Sequence, residues 1–133
     1  MHTRHSRVVV VSHDDQNRAT LKRIFGENGW KIRERRAVSE FRQYLKPQWS
    51  GVIVTESCLP DGTWRDILAL ANAVCPDAQV VVTSRLADEQ LWAEVLSRGA
   101  FDLLAQPLDQ IEVLRVGASA WQHSRPKVRQ ACA

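Results

Sequence analysis

The sequence contains few cysteines and none of the spacings that group cysteine and histidine around a metal. Its three cysteines, an odd number, and its four histidines are scattered along 133 residues. Zinc fingers need closely spaced ligand pairs, and disulfide-rich domains carry an even number of cysteines. We therefore expect a reduced, cytoplasmic chain with neither a structural metal nor a disulfide framework.

Long hydrophobic runs are also missing. No stretch approaches the roughly 20 apolar residues of a membrane helix, and the N-terminal residues lack the apolar segment of a signal peptide. Glycine-rich phosphate loops, nucleophile elbows and zinc motifs are absent too, which argues against an independent enzyme. Ser12, His13 and Asp14 have residue types found in catalytic triads, but sequence neighbours rarely form a triad.

The net charge of +3 comes from the two ends of the chain. The first seven and last twelve positions hold no acid, and their five basic residues are Arg4, Arg7, Arg125, Lys127 and Arg129. Removing these five charges leaves residues 8–121 at −2. We interpret residues 1–6 and 122–133 as basic flexible tails around a mildly acidic domain, and nucleic-acid binding through the tails remains an alternative.

Apolar strands alternate with amphipathic helices between the ends. Strands are predicted at 7–11, 30–35, 51–55, 78–83 and 103–105, and helices at 14–28, 38–45, 64–74, 87–98 and from 109 onward. Continuous apolar strands are typical of a parallel sheet that helices cover on both faces. The pattern predicts an α/β, flavodoxin-like three-layer sandwich: a five-stranded parallel sheet in the order 2-1-3-4-5 with five helices.

Ligand sites in such a sheet lie beyond the carboxyl ends of the strands. The segments that follow the strands are Ser12-His13-Asp14, Glu56-Ser57, Thr83-Ser84 and Gln106-Pro107. The fold prediction alone selects these residues as the candidate site.

At these positions the chain resembles the receiver domain of bacterial two-component response regulators, of the chemotaxis-regulator type. The resemblance covers about residues 7–121 and depends on the order and spacing of short motifs: Val8-Val9-Val10-Val11 followed by Arg18 and Leu21, Leu59-Pro60-Asp61-Gly62, Thr83-Ser84-Arg85, Gly99-Ala100 and Gln106-Pro107. It implies a phosphorelay signalling domain. In that family an aspartate after the third strand accepts a phosphoryl group, two nearby acids help to hold Mg²⁺, and a threonine and a lysine contact the phosphoryl oxygens.

The same resemblance places changed residues at most of these positions. The phosphoacceptor position falls on Glu56, the acidic pair on Ser12 and His13 with Asp14 next, and the lysine position on Gln106; Thr83 alone keeps the family's residue type. Glu56 is interpreted either as a partial mimic of the phosphorylated aspartate or as a tolerated polar residue. Magnesium binding is expected to be lost or weak, with no other metal or cofactor and no catalytic residue.

Three finer expectations follow from the aligned positions. His13 is either a base or ligand or, as we favour, an imidazole that pairs with Glu56 or Asp14. Thr83 either bonds to Glu56 or caps backbone. The Gln106–Pro107 peptide is expected to be cis, as the resemblance implies.

Tryptophan positions and the family's interface bear on the partner. Trp30, Trp64 and Trp92 fall on apolar stripes and are predicted to be in the core or partly buried, whereas Trp49 and Trp121 are candidates for an interface. The resemblance implies a partner surface on the fourth helix, fifth strand and fifth helix. Leu91, Trp92, Leu103 and Trp121 are candidates for it, with core packing favoured for Leu91 and Trp92.

The sequence thus predicts a receiver-like domain that works without phosphorylation by binding a protein, either a sensor kinase or a downstream effector. A homodimer is possible. A conventional phosphoaccepting receiver with a rearranged site remains the alternative.

Overall fold

A parallel sheet flanked by helices forms the domain. The computed structural model describes residues 6–124. Its elements in chain order are β1 (Arg7–Val11), α1 (Asp15–Gly26), β2 (Lys31–Arg35), α2 (Val38–Tyr44), β3 (Val52–Glu56), β4 (Cys58–Leu59), β5 (Gly62–Thr63), α3 (Trp64–Val74), β6 (Gln79–Ser84), α4 (Glu89–Ser97), β7 (Asp102–Ala105) and α5 (Gln110–Ser124).

The strand order confirms the predicted fold. The main sheet runs β2-β1-β3-β6-β7, and all of its neighbouring strands pair in parallel. This is the predicted 2-1-3-4-5 order, because β4 and β5 form a separate two-stranded antiparallel sheet. Within residues 6–124, five helices connect or follow the strands and cover the sheet, so the three-layer architecture is confirmed as well.

Two hydrophobic clusters lie on opposite faces of the sheet. Side chains alternate along a strand, so Val9 of β1 packs with α2 and α3 on one face while Val8 packs with α1 and α5 on the other. Trp64 and Phe25 are large, fully buried side chains of the two clusters. Burial on both faces explains why the strands read as continuous apolar runs.

The turn that was predicted at residues 59–62 is a short hairpin that anchors α2. The carboxylate of Asp61 accepts hydrogen bonds from the backbone amides of Val38 (2.7 Å) and Ser39 (3.0 Å). These bonds favour the ionised form and hold the pKa of Asp61 below its ordinary value. The hairpin therefore ties the first turn of α2 to the segment that follows β3.

Trp92 departs from the prediction: it was expected in the core or partly buried, but the residue is exposed, with a relative accessibility of 51%. The apolar stripe of α4 is narrow, and Val95 is the buried residue of this helix. Trp64 is buried as predicted and Trp30 is partly buried. Trp49 and Trp121, the interface candidates, are each partly buried against one of the two clusters.

The ends of the domain also differ in detail from the prediction. Helix α5 extends to Ser124, past residue 121 where the domain was expected to end. Arg7, counted above among the terminal charges, lies in β1 and donates hydrogen bonds to the carbonyl (3.1 Å) and hydroxyl (2.9 Å) oxygens of Ser50. Residues 1–5 and 125–133, which make up most of the predicted tails, lie outside the described residues. Within residues 6–124, no helix has the length and apolar character needed to cross a membrane.

Candidate functional site

The predicted site residues meet at the carboxyl edge of the sheet. The register pairs Glu56 at the end of β3 with Thr83 of β6, and Ser84 with Ala105 at the end of β7. Ser12 directly follows β1, which is the other neighbour of β3. Parallel strands end at a common edge, so segments that are far apart in sequence form one polar surface.

The carboxylate of Glu56 is held by hydrogen bonds from the segment after β1. Its Oε1 accepts from the hydroxyl of Ser12 (2.5 Å) and, at a longer 3.5 Å, from the backbone amide of Asp14. Its Oε2 accepts from Nδ2 of Asn17 (3.0 Å). Both carboxylate oxygens are thus hydrogen-bonded within the protein, and the side chain is fixed against β1 and α1.

The carboxylate of Asp14 caps helix α1. Its Oδ1 accepts from the backbone amides of Gln16 (2.9 Å) and Asn17 (3.3 Å), and its Oδ2 contacts the guanidinium of Arg85 at 3.2 Å. The amide of Asn17 is the main reason that the pKa of Asp14 lies below its ordinary value, and Arg85 adds to the effect. Asp14 therefore serves the helix terminus and an ion pair with the segment after β6.

His13 takes no part in this network, so the prediction that it pairs with Glu56 or Asp14 was wrong. Successive residues point in opposite directions as the chain leaves β1. Ser12 is fully buried and reaches Glu56, whereas His13 is exposed, and its ring has no hydrogen-bond partner among residues 6–124. The small hydroxyl of Ser12 occupies the place that was predicted for the imidazole.

Thr83 and Gln106 form a second, separate pair. The side-chain amide of Gln106 donates a hydrogen bond from Nε2 to Oγ1 of Thr83 (3.2 Å). Thr83 is buried and bonds to Gln106 rather than to Glu56. The Gln106–Pro107 peptide is cis, as expected. The two residues that the sequence comparison aligned with the family's threonine and lysine are therefore bonded to each other.

The buried side chain of Arg18 holds the loop after β1 in place. Its guanidinium is buried, donates a hydrogen bond to the carbonyl oxygen of Ser12 (2.7 Å) and contacts the carboxylate of Asp15. Its Nε lies 3.6 Å from a carboxylate oxygen of Glu34 on β2. These contacts fix the backbone of the loop after β1, and with it the hydroxyl that holds Glu56.

Sequence reasoning missed Asn17 and the role of Arg85. Asn17 lies three residues after Asp14, so it belongs to the same first turn of α1 and faces the same edge. That spacing was the available signal for Asn17. Arg85 was noted as part of a motif, but its pairing with Asp14 joins residues 71 positions apart, and no local pattern reveals it.

The residues of this edge do not fit the magnesium ion of the family's chemistry. Mg²⁺ prefers carboxylate and water oxygens in an octahedral arrangement. Ser12 and His13 bring no carboxylate, and those of Asp14 and Glu56 are already bonded to donors. Within residues 6–124, no three Asp, Glu, His or Cys side chains are grouped so as to hold a metal ion.

An open cleft of about 460 Å³ lies beside the network. Its lining includes Asn17 and Thr20 of α1, Arg85 after β6, and Gln106 with Pro107 after β7. The cleft carries amide, hydroxyl and paired charged groups, so its surface is polar but offers no free cluster of one charge.

Comparisons with known proteins agree on one family. The model of the response regulator receiver domain matches residues 8–116. The chain is similar to the response regulator protein PilR of Pseudomonas aeruginosa, with 24% identity over 125 residues, which are 94% of this chain and 28% of PilR. The chain spans between a quarter and a third of the length of the curated relatives it matches.

Solved structures show the same fold. The beryllofluoride-activated NtrC4 receiver domain dimer gives a TM-score of 0.82 at 22% identity, covering 90% of this chain and 98% of that one. A chain of the CheX–CheY complex from Borrelia burgdorferi, which contains BeF3 and Mg, gives 0.76 at 23% identity, covering 86% and 87%.

Proposed function

Because the chain belongs to the response regulator receiver family, whose domains are signalling modules of two-component systems, we propose that it is an atypical receiver that acts without phosphorylation. It signals by binding a protein partner and catalyses no reaction of its own. The observation that carries this proposal is that the carboxylate of Glu56, the residue we assign to the phosphoacceptor position, is hydrogen-bonded through both oxygens.

The chemistry of acyl-phosphate formation argues against reaction at Glu56. Glutamate is one methylene longer than aspartate, so its carboxylate extends toward the volume that a phosphoryl group on aspartate would fill. Attack on a phosphoryl donor requires a free carboxylate oxygen aligned with the leaving group. Donors from Ser12 and Asn17 hold both oxygens of Glu56 toward α1, which disfavours that alignment.

The surrounding residues support the same conclusion. Charge on a transferring phosphoryl group is normally offset by a metal ion and a lysine. Gln106 has a neutral amide where the family has the lysine, and this amide donates its hydrogen bond to Thr83. The guanidinium of Arg85 is paired with Asp14. The fixed negative charge of Glu56 instead supplies part of the charge that phosphorylation would add.

A surface formed by α4, β7 and α5 is our candidate for the partner site. The exposed large hydrophobic side chains of residues 6–124 are Leu86, Trp92 and Ile111, which lie before α4, on α4 and on the first turn of α5. Exposed apolar residues that cluster on one side of a domain are typical of protein interfaces.

Intact-mass measurement after treatment with acetyl phosphate and Mg²⁺, or with a phosphorylated histidine kinase, tests the proposal. The wild-type chain is expected to gain no phosphoryl group. A variant with Ser12→Asp, His13→Asp, Glu56→Asp and Gln106→Lys is expected to gain one, because it regains the acceptor, the acidic pair and the lysine. The same variant without Glu56→Asp is the matched control and should stay unlabelled.

A stable acyl phosphate on the wild-type chain would contradict the proposal. Peptide mapping that located it on Asp14 or Asp61 would establish a conventional receiver with a rearranged site. In the structure both carboxylates accept backbone hydrogen bonds at helix N-termini, so neither is free to attack.

A further inference from the structure

A groove of about 250 Å³ lies where α4, β7 and the start of α5 meet. Its apolar surface comes from Trp92 of α4 with Leu103 and Ala105 of β7. Trp92 is half exposed, although a tryptophan gains much more from burial than from contact with water. A tryptophan beside a concave surface is typical of the residues that carry most of the binding energy in protein interfaces.

The rim of this groove is acidic. Asp88, Glu89 and Glu112 line it, and no basic residue of the described chain does. None of these three carboxylates lies within 4 Å of a basic side chain in residues 6–124, in contrast to Glu94 on the same helix, which pairs with Arg65. Asp88 has a structural role as the N-cap of α4, accepting from the amide of Leu91 (2.8 Å).

From this combination we propose that the groove binds a basic, amphipathic segment of a protein partner rather than a second copy of the chain. An apolar side chain of that segment fills the space beside Leu103 and Ala105. Its arginine or lysine residues meet the three rim carboxylates, and one cation stacks on the ring of Trp92. The inference rests on the proposed function, since it takes contact with a protein as the output of the domain.

The chain contains an internal example of the contact that is proposed. On α3 the guanidinium of Arg65 lies 4.9 Å from the ring centroid of Trp64 and donates two hydrogen bonds to Glu94 (2.7 and 2.6 Å). An arginine between a tryptophan ring and a carboxylate satisfies both its planar face and its donors. The exposed pair of Trp92 and Glu89, three residues apart on α4, offers an incoming arginine the same two partners.

Charge also disfavours a second copy as the occupant. A twofold pairing through this groove places the lining of one copy against the lining of the other. Each lining brings three carboxylates and no cation, so like charges meet where solvent is excluded. Arg115, one turn beyond Glu112 on α5, is not part of the lining.

Binding of two designed peptides to the isotope-labelled chain, followed by NMR, tests this inference. Both are amphipathic helices of about 15 residues with the same leucine positions, and they carry Lys and Arg or Glu on the polar positions. We expect the basic peptide to shift the indole N–H signal of Trp92 and the backbone signals of Glu89 and Glu112 saturably, and the acidic peptide to cause no shift. Added salt should weaken the binding.

A charge-neutral variant separates electrostatics from apolar contact. A variant with Asp88→Asn, Glu89→Gln and Glu112→Gln should bind the basic peptide with an affinity lower by about tenfold or more. Asparagine at position 88 still caps the helix. The matched control neutralises three exposed acids elsewhere, with Glu27→Gln, Glu40→Gln and Asp77→Asn, and should bind as the wild type does.

Three outcomes would overturn the inference: equal binding of both peptides, no shift at Trp92 at millimolar peptide, or a homodimer in light scattering that Trp92→Ala dissociates. The titrations are made without phosphodonor. Acyl-phosphate formation in the separate mass experiment would therefore contradict the proposed function without affecting this result.

Discussion

The interior of the sheet and its carboxyl edge differ in how closely they follow the receiver family. In the interior, the valines of β1 and the apolar residues of β3 and β6 are buried between two helical layers, as the family's fold requires. At the edge, we propose that Ser12, Glu56 and Gln106 stand where the family carries its magnesium- and phosphoryl-binding residues; in the structure Ser12 bonds to Glu56 and Gln106 bonds to Thr83. The two regions are adjacent, since Glu56 directly follows buried Thr55.

The difference shows that the fold and the chemistry have separate requirements. The fold depends on many apolar contacts spread over both faces, whereas phosphoryl transfer depends on four or five polar side chains at one edge. The edge can therefore change its chemistry while the sheet keeps its order. Ser12, Glu56 and Gln106 form hydrogen bonds within the protein. No buried side-chain nitrogen or oxygen of the described residues lacks a hydrogen-bond partner.

The largest effect is expected in the interior. Replacing Trp64, which is fully buried, by alanine removes a large side chain from a packed cluster and should lower the free energy of unfolding by about 3–5 kcal/mol. Trp92→Ala is the matched control and should cost far less, because half of that side chain is already in water. Urea denaturation measures both. Equal losses for the two variants would contradict the distinction between the core and the exposed groove.

An intermediate effect is expected at the edge. A double-mutant cycle with Ser12→Ala and Glu56→Ala should give a coupling energy of about 1–2 kcal/mol, since the hydrogen bond is short, charge-assisted and partly buried. A cycle on Asp14 and Arg85 should give less, because the Arg85 side chain is 77% exposed and solvent screens the pair. A coupling of zero between Ser12 and Glu56 would mean that Glu56 is only a tolerated surface residue.

The smallest effect concerns acid pH and the hairpin. Folding lowers the pKa of Asp61, mainly through hydrogen bonds from the amides of Val38 and Ser39, so its ionised form stabilises the fold above the ordinary carboxyl pKa of about 3.9. That contribution is lost as the pH falls through the lowered pKa. Asp61→Asn should therefore be less stable than the wild type near neutral pH, and the difference should shrink below about pH 4.

Urea midpoints measured from neutral to acidic pH check this expectation. A stability difference between wild type and Asp61→Asn that stayed constant down to acidic pH would show that the ionised carboxylate does not anchor α2.

The strands of the sheet could be predicted from the sequence because each one is encoded by a short run of neighbouring apolar residues. Continuous runs such as residues 8–11 and 51–55 specify buried strands without reference to the rest of the chain. The hairpin of β4 and β5 was predicted only as a turn, since two-residue strands leave no periodic pattern. The burial of Trp92 was predicted wrongly because the helical spacing of apolar residues is the same whether or not another layer of the fold covers that face of the helix.

The site was predictable in position but not in its contacts. The strand ends located Ser12, Glu56, Thr83 and Gln106 at one edge, and the structure places them there. Which of them pair depends on side-chain reach and on the direction of the chain after β1. Because of this reach and direction, Ser12 rather than His13 bonds to Glu56. The residue types alone do not reveal which of the two side chains faces the carboxylate.

A magnesium titration of the wild-type chain, followed by the backbone NMR signals of Asp14, Asn17 and Glu56, tests the central claim most directly. If the edge has exchanged a metal and phosphoryl site for a carboxylate held by its own donors, these signals should not move saturably at millimolar Mg²⁺. The variant with Ser12→Asp, His13→Asp and Glu56→Asp should show saturable shifts under the same conditions. Saturable binding of millimolar Mg²⁺ by the wild-type chain at these residues would contradict the account.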